Sequence, residues 1–386
     1  MIPYGRQDIT QADIDAVIEV LRSDFLTQGP AVPKFEKTVA NYCGAKHAVA
    51  ANSSTSALHI ACLALDLGPG DWLWTSPNTF VASSNCALYC GAKVDFVDTD
   101  PLTYNLCPLT LESKLVVAER EGCLPKVVVP VHLSGQSCDM LAIHELAQRF
   151  GFKIIEDASH AIGGKYKNEA IGNCRYSDIT VFSFHPVKII TTGEGGMALT
   201  NDPELANRMV RNRSHGITSE VDRMQARPEN EIWNYQQISL GFNYRMTDIQ
   251  AALGLSQMTR LDEFVNTRQR IAKRYDEKLA GLPLQTPWQH PDSYSSYHLY
   301  PIRLKLGEIE KTQRQVYDAL HEADILVNLH YIPVYRQPFY ETMGFTAGYC
   351  QNAEQYHKEA LSIPMYPAMS ETQQDRVIQI LSEILA

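Results

Sequence analysis

The sequence predicts an α/β fold with a large domain over residues 1–250, built on a mostly parallel sheet, and a smaller α+β domain over residues 251–386. Two observations predict it. From about residue 10 to residue 250, helical stretches alternate with short apolar runs, which is typical of parallel strands joined by crossover helices. Beyond that point, a long helical segment is followed by separated strands and helices, which indicates a second, mixed unit.

The helices of the large domain are predicted from the residues at their ends. The segment TQADIDAVIEVLRSD begins with Thr10 and Asp13, a pair that can cap a helix through reciprocal hydrogen bonds. The segment DMLAIHELAQRFG ends at Gly151, and glycine is the residue that most often follows a helix.

The strands of the large domain are predicted from apolar runs bounded by turn residues. In chain order they are HAVAANS, DWLWTS, KVDFVD, PKVVVPVH, FKIIEDAS and ITVFSF. A polar, irregular stretch occupies residues 214–237, and long loops of this kind are often functional.

After the polar stretch, residues 247–282 are predicted to be helical for most of their length, with Gly281 as the end of the helical segment. After it, YHLYPIRL and ILVNLHYIPV are predicted strands, because both are rich in β-branched, aromatic and other apolar residues. Helices are predicted between and after these two strands.

The composition bounds the class of protein. A hydrophobic fraction of 45% and a charged fraction of 20% are ordinary for a globular chain. The formal net charge of -10 argues against a nucleic acid or a membrane surface as the main partner, because both favour clustered lysine and arginine. The N-terminus shows no signal-peptide pattern, so we expect a cytoplasmic protein. Nine cysteines without C-x-x-C spacing favour reduced thiols and predict no metal site.

Two chemical groups follow the ends of predicted strands. Asp157 ends the strand FKIIED, with His160 three residues further on, and Lys188 lies in the loop after ITVFSF. Taken alone, Asp157 reads as a turn residue and Lys188 as an ordinary solvated lysine. Taken together they are the two groups that pyridoxal phosphate (PLP) chemistry requires, a carboxylate for the ring nitrogen and a lysine for the Schiff base. Such a lysine also serves as the proton-transfer base.

Three further segments fit a phosphorylated ring, each with an alternative interpretation. Ser54 and Thr55 begin a helix, where backbone N–H groups and the helix dipole favour an anion, although an ordinary cap has the same pattern. Phe80 follows a strand and could stack on a pyridine ring or pack in the core. Asn243 and Arg245 precede a long helix and could simply anchor a loop. No Walker lysine or G-x-G-x-x-G follows a strand, which argues against nucleoside triphosphate and dinucleotide binding.

The motifs TQGP, NSSTSALH, EDASHAIGG, FSFHPVK, TGEGG and GFNYRMTDIQAALGL occur in this order along essentially the whole chain. In this respect the sequence resembles the DegT/DnrJ/EryC1/StrS family of PLP-dependent sugar aminotransferases. The resemblance implies the type I aminotransferase fold, a homodimer and active sites shared between the two subunits.

The resemblance also implies roles for individual residues. Lys188 matches the Schiff-base lysine and Asp157 the residue that pairs with the ring nitrogen. His160 stands where many members have glutamine, near the phenolic oxygen of the ring.

The remaining cofactor contacts are implied in the same way. Ser54, Thr55 and Ser183 match phosphate contacts, and Phe80 matches the stacking aromatic residue. Asn243 matches a residue that reaches the phosphate from the partner subunit.

Within the family, SSYHLYPI, NLHYIPVYRQPFYE and LSIPMYP look most like members of the pseudaminic acid pathway. This resemblance implies transfer of the amino group of L-glutamate to C4 of a UDP-linked 4-keto-6-deoxy sugar. For such a substrate, His330, Tyr331 and the nearby Arg336 are candidate contacts, although these residues could equally pack the small domain. Two alternatives stay open: another UDP- or dTDP-ketosugar as substrate, or a non-catalytic sugar-nucleotide-binding regulator on the same fold.

Overall fold

The computed structural model describes residues 1–226, 231 and 233–385. Its strands are β1 (His47–Ala51), β2 (Trp72–Thr75), β3 (Lys93–Phe96), β4 (Val127–Val129), β5 (Lys153–Asp157), β6 (Lys165–Tyr166), β7 (Glu169–Ala170), β8 (Ile179–Ser183), β9 (Gly196–Thr200), β10 (Ile217–Thr218), β11 (Gln236–Gln237), β12 (Leu284–Gln285), β13 (Ser293–Tyr294), β14 (Tyr300–Leu304) and β15 (Ala360–Ile363).

Helices lie between and around these strands. They are α1 (Gln11–Leu21), α2 (Ala31–Cys43), α3 (Ser54–Ala64), α4 (Ala82–Tyr89), α5 (Pro108–Glu121), α6 (Met140–Phe150), α7 (Pro203–Arg213), α8 (Asp248–Met258), α9 (Leu261–Lys278), α10 (Gln313–Glu322), α11 (Pro338–Glu341), α12 (Gln351–Glu359) and α13 (Glu371–Leu385). None of the helices within the described residues combines the length and the apolar content that a membrane crossing needs.

A seven-stranded sheet with the order β1-β9-β8-β5-β4-β2-β3 forms the centre of the protein. Strands β3, β2, β4, β5 and β8 pair in parallel, whereas β9 is antiparallel to both β8 and β1. The prediction of a mostly parallel sheet is therefore confirmed, and all six predicted strands are present in it. The seventh, β9, was not predicted. Because β5 and β8 run side by side in the same direction, their carboxyl ends bring Asp157 and Ser183 to one edge of the sheet.

Two helix ends are formed by the residues that the sequence predicts. The backbone N–H of Thr10 donates to the carboxylate of Asp13 at 2.8 Å at the start of α1. Gly151 ends α6 with φ at 82°, a left-handed conformation that glycine adopts without strain.

The prediction that residues 247–282 are helical for most of their length is confirmed, although a break within the segment was not predicted. The chain forms two helices, α8 and α9, because Thr259 and Arg260 interrupt the helix. At the far end, the last cap is Leu279, two residues before Gly281.

A second sheet of three strands has the order β12-β14-β15, all antiparallel. The predicted strand YHLYPIRL is confirmed as β14, but ILVNLHYIPV is not a strand. It makes only isolated bridges, from Ile325 to Ile2 and from Asn328 to Ser362. The segment thus lies beside β15 at Asn328, but its pairing does not extend beyond that residue. The boundary between the two predicted domains at residue 250 stays a prediction.

The polar stretch 214–237 contains a short antiparallel pair, β10 with β11, on either side of a long connection. Residues 227–230 and 232 of this stretch lie outside the described residues.

Candidate active site

A cavity of about 880 Å³ opens at the carboxyl ends of β5 and β8. Its wall includes the start of α3 and residues 328–332 of the loop that precedes α11. The seven residues that the sequence predicted for catalysis and cofactor binding and that line the cavity are Ser54, Thr55, Phe80, Asp157, His160, Ser183 and Lys188. The fold therefore brings together groups that are up to 134 positions apart in the sequence, from Ser54 to Lys188. The candidate substrate contacts His330 and Tyr331 line the cavity as well.

Strand β5 presents two carboxylates to opposite faces of the sheet. Asp157 lines the cavity, where its two oxygens accept hydrogen bonds from the hydroxyl of Ser83 at 2.6 Å and the backbone N–H of Ser159 at 3.1 Å. Glu156 lies on the other face, where His132 donates to it at 2.7 Å. Burial acts to raise the pKa of Glu156, but this bond and those from neighbouring hydroxyls hold the pKa below its usual value. Glu156 thus anchors the strand and leaves Asp157 for the cavity.

Lys188 lies in the loop between β8 and β9. Its backbone N–H donates to the carbonyl of His185 at 2.9 Å, which fixes a tight turn. Burial lowers the pKa of the Lys188 amine from 10.5 to about 8, while the charge of Asp157 acts in the opposite direction. A substantial fraction of the amine is therefore neutral near physiological pH, as a nucleophile requires.

The start of α3 has a geometry that favours an anion. Ser53 caps the helix by accepting the backbone N–H of Ser56 at 3.1 Å, and Ser54 and Thr55 are the first two helical residues. The N–H groups at these positions have no partner inside a helix and favour an anion. A side chain on Gly196 would place its Cβ 2.4 Å from the carbonyl oxygen of Ser53. Glycine in the TGEGG motif thus lets β9 pack directly beneath this helix start.

His160 is a buried, neutral imidazole at the back of the cavity. Its Nδ1 accepts the backbone N–H of Ser134 at 3.2 Å, so the proton of the neutral ring lies on Nε2, which faces the hydroxyl of Tyr331 at 3.3 Å. The ring of His298 lies against it, with centroids 4.4 Å apart. Burial, followed by the charge of Lys188, holds the pKa of His160 well below its usual value.

Ser83 and His298 were missed by the sequence analysis. Ser83 lies one turn after Phe80 in a run of small residues and carries no local signal that separates it from Ser84 beside it. His298 lies in YHLYPIRL, which was read as a strand and not as part of a site. Phe80 is 60% exposed and borders the cavity, and an aromatic ring at such a position can stack on a flat group.

Asn243 is the predicted cofactor-site residue that does not line this cavity. It is exposed, and its backbone carbonyl lies 3.5 Å from the side-chain nitrogen of Asn52 on the cavity wall. Arg336 is also outside the lining, and its guanidinium pairs with Glu341 at 3.1 Å. The contribution of Asn243 to a partner's site stays a prediction.

These residues fit PLP. A partly neutral lysine and a buried carboxylate share one cavity, a helix start that favours an anion lies in the same wall, and an exposed phenylalanine borders it. These are the functional groups needed for an aldehyde, a ring nitrogen, a phosphate and a pyridine face.

Several proteins of similar sequence carry names from sugar biosynthesis. SpsC of Bacillus subtilis, a spore coat polysaccharide biosynthesis protein, is 40% identical over 100% of this chain and 97% of its own length. The UDP-4-amino-4,6-dideoxy-N-acetyl-β-L-altrosamine transaminase of Campylobacter jejuni is 37% identical over 96% of this chain and 94% of its own. The GDP-perosamine synthase of Caulobacter vibrioides is also 37% identical, over 96% and 95%.

Solved structures that match this chain include sugar aminotransferases. PseC of Helicobacter pylori, an aminotransferase of pseudaminic acid biosynthesis, matches with a TM-score of 0.89 at 30% identity over 100% of this chain and 99% of its own. Spr1654 of Streptococcus pneumoniae, solved in its PLP form, matches with a TM-score of 0.88 at 28% identity over 100% of both chains.

The model of the DegT/DnrJ/EryC1/StrS aminotransferase family matches residues 7–382. The predicted type I fold, enzymatic activity and PLP cofactor are confirmed by these comparisons. The chain belongs to the DegT/DnrJ/EryC1/StrS family of PLP-dependent nucleotide-sugar aminotransferases.

Proposed function

We propose that this aminotransferase moves the amino group of L-glutamate to C4 of UDP-2-acetamido-2,6-dideoxy-β-L-arabino-hex-4-ulose, a UDP-linked 4-keto-6-deoxy-N-acetylhexosamine, in pseudaminic acid biosynthesis. The observation that carries the aminotransferase chemistry is the shared cavity of Lys188 and Asp157. The choice of sugar is supported by the similarity to the Campylobacter jejuni transaminase and to PseC.

PLP, when bound, supplies an aldehyde that carries amino groups and a ring that accepts electrons. The protein's own residues then have separate tasks. The amine of Lys188, with a pKa of about 8, can bond to a carbonyl carbon when neutral and can carry a proton between substrate atoms when released. Asp157 accepts a hydrogen bond from a protonated ring nitrogen. The N–H groups of Ser54 and Thr55 bind the phosphate, and Ser183 borders the same cavity.

The part of the cavity beside residues 328–332 is the proposed sugar subsite. His330 lines it and is held by a 2.9 Å hydrogen bond between its Nδ1 and the hydroxyl of Ser362. Burial lowers the pKa of His330 to about 3, so the ring offers a neutral polar group. With Tyr331 and Gln337 it presents uncharged donors and acceptors, which suit sugar hydroxyl and N-acetyl groups.

A competition assay tests the substrate. The holoenzyme receives L-glutamate and equimolar UDP-, dTDP- and GDP-linked 4-keto-6-deoxy sugars, and NMR identifies each aminated product. We expect the UDP-N-acetylated sugar to be aminated first, at C4. A preference for another nucleotide, or amination at C3, contradicts the substrate assignment and leaves the aminotransferase assignment intact.

A second candidate is a related aminotransferase for a different nucleotide sugar. It is favoured by the GDP-perosamine synthase, which is as similar to this chain as the Campylobacter jejuni transaminase. The GDP-linked competitor in the assay decides between the two.

A regulator without catalysis is the remaining alternative, and it needs no proton-transfer base. Lys188, Asp157 and His160 are all present in the cavity, which favours catalysis. Addition of L-glutamate alone to the holoenzyme should shift the cofactor absorption. A protein that binds the sugar nucleotide but shows no shift with any amino acid contradicts catalysis.

A further inference from the structure

We propose that Ser83 is a positioning residue for the reaction, whose hydroxyl holds the carboxylate of Asp157 oriented toward the cofactor ring nitrogen. The inference rests on the proposed role of Asp157. It starts from a chain of three buried groups: the hydroxyls of Thr79 and Ser83 and the carboxylate of Asp157, which are 3%, 0% and 5% exposed.

The direction of the hydrogen bonds in this chain is fixed by chemistry. An ionised carboxylate can only accept, so Ser83 donates its proton to Oδ2 of Asp157 at 2.6 Å. The hydroxyls of Ser83 and Thr79 are also 2.6 Å apart. Because the proton of Ser83 is already used, Thr79 is the donor in this second bond. A hydroxyl that accepts one hydrogen bond becomes a stronger donor in the next.

Burial disfavours a charged carboxylate, whereas donors to its oxygens favour the charged form. Asp157 receives two such donors in this structure, the Ser83 hydroxyl and the Ser159 backbone N–H. The Ser83 bond is the shorter of the two. It is also the one that a side-chain substitution removes.

The hydrogen bond from Ser83 affects the position of the proton between the cofactor ring nitrogen and Asp157. A ring nitrogen and Asp157 share a proton, which can lie on the nitrogen, leaving the carboxylate charged, or on the carboxylate, leaving both neutral. A donor to the carboxylate stabilises the first arrangement, which is the one that lets the ring accept electrons. Loss of Ser83 should therefore move the proton toward Asp157.

Ser84 provides a matched control. It lies beside Ser83 in α4 and is 0% exposed, but its hydroxyl bonds the hydroxyl of Tyr340 at 2.6 Å and not Asp157. Ser83→Ala and Ser84→Ala thus remove the same buried group from the same helix, and only the first removes a donor to Asp157.

The test uses pyridoxamine phosphate labelled with ¹⁵N in the ring, which binds without a covalent bond, and the ¹⁵N chemical shift reports ring protonation. In Ser83→Ala, we expect the ratio of protonated to unprotonated ring nitrogen to fall about tenfold, since a hydrogen bond to a charged group has at least that effect. Ser84→Ala should match the wild type. Ser83→Thr, which keeps the hydroxyl, should restore the wild-type signal and turnover.

An unchanged ring ¹⁵N signal in Ser83→Ala overturns the proposal, provided that Asp157→Asn changes it. If Asp157→Asn also leaves the signal unchanged, the role of Asp157 itself is wrong. Should Ser83→Ala not fold, Ser83→Cys supplies a weaker donor of similar size. Its signal should then lie between those of the wild type and Asp157→Asn, and a wild-type signal overturns the proposal.

Discussion

At the scale of single residues, the buried position of Lys188 changes the pKa of its amine. Removal from water disfavours the ammonium form, and this effect exceeds the opposing attraction of Asp157. The net result is an amine that is both partly neutral and close to a carboxylate. A lysine on the surface has the charge but lacks the nucleophilicity.

The lowered pKa of Lys188 predicts how the apoprotein takes up PLP at different pH values. Below the folded pKa of about 8 the amine is protonated and cannot attack an aldehyde, so the rate should rise with pH and level off above that value. Asp157→Asn removes a charge that raises the pKa of Lys188, so the midpoint should move to lower pH. Stopped-flow absorbance measures the rate of PLP uptake against pH for the wild type and for Asp157→Asn. A wild-type midpoint near 10.5, the ordinary lysine value, contradicts the proposed environment.

Among the secondary-structure elements, α3 and β9 depend on each other. The first turn of α3 is the proposed phosphate site, and Gly196 of β9 lies against the peptide between Ser53 and Ser54. An added Cβ would lie 2.4 Å from two backbone atoms there, and backbone cannot rotate away as a flexible side chain can.

Gly196→Ala should therefore weaken the binding of pyridoxamine phosphate and lower the free energy of unfolding by about 1–3 kcal/mol, as overpacking does. Calorimetric titration and chemical denaturation measure the two effects. Gly68→Ala is the control, because a Cβ on Gly68 meets nothing within 4 Å. Equal behaviour of the two variants contradicts the proposed support of α3 by β9.

The elements that sequence reasoning located were those with strong local signals. Strands β5 and β8 are apolar runs, and the rule that parallel strands place their carboxyl ends together was enough to bring Asp157 near Lys188. The capping pair of Thr10 and Asp13 and the helix end at Gly151 were also predicted from neighbouring residues alone.

The errors came from interactions that a local pattern does not contain. Residues 325–334 have the composition of a strand, but they pair with distant residues only at single bridges, from Ile325 to Ile2 and from Asn328 to Ser362. The break between α8 and α9 falls in a segment with helical composition. The contact between Tyr331 and His160 joins residues 171 positions apart, and it depends on how the loop before α11 packs on the sheet.

At the scale of the whole molecule, the charges that line the cavity of one chain do not balance the negative charges of the proposed substrates. Among the described residues that line the cavity, Lys188 is the only lysine or arginine, while Asp157 and Glu194 are acidic. A nucleotide diphosphate and L-glutamate are both anions, so further cationic or polar donors are needed. We propose that a partner subunit supplies them, with Asn243 reaching the phosphate of its partner's cofactor.

A mixed dimer tests this shared site. One chain carries Lys188→Ala and the other Asn243→Ala, so each homodimer has two impaired sites. In a mixed dimer, one of the two sites regains a complete set of residues. We therefore expect activity to rise after subunit exchange, toward half of the wild-type value per mixed dimer.

The homodimers measured separately are the controls, and native mass spectrometry confirms the exchange. No gain in activity despite confirmed exchange contradicts the shared-site proposal.

The most direct test of the account is reductive trapping of the cofactor on its lysine. The holoenzyme is treated with borohydride, digested and mapped by mass spectrometry, with and without prior incubation with L-glutamate. We predict that the cofactor is fixed on the peptide that contains Lys188, and that L-glutamate prevents this fixation because the amino donor displaces the lysine. Fixation on another lysine, or fixation on Lys188 that no amino acid prevents, would contradict an aminotransferase centre built on Lys188.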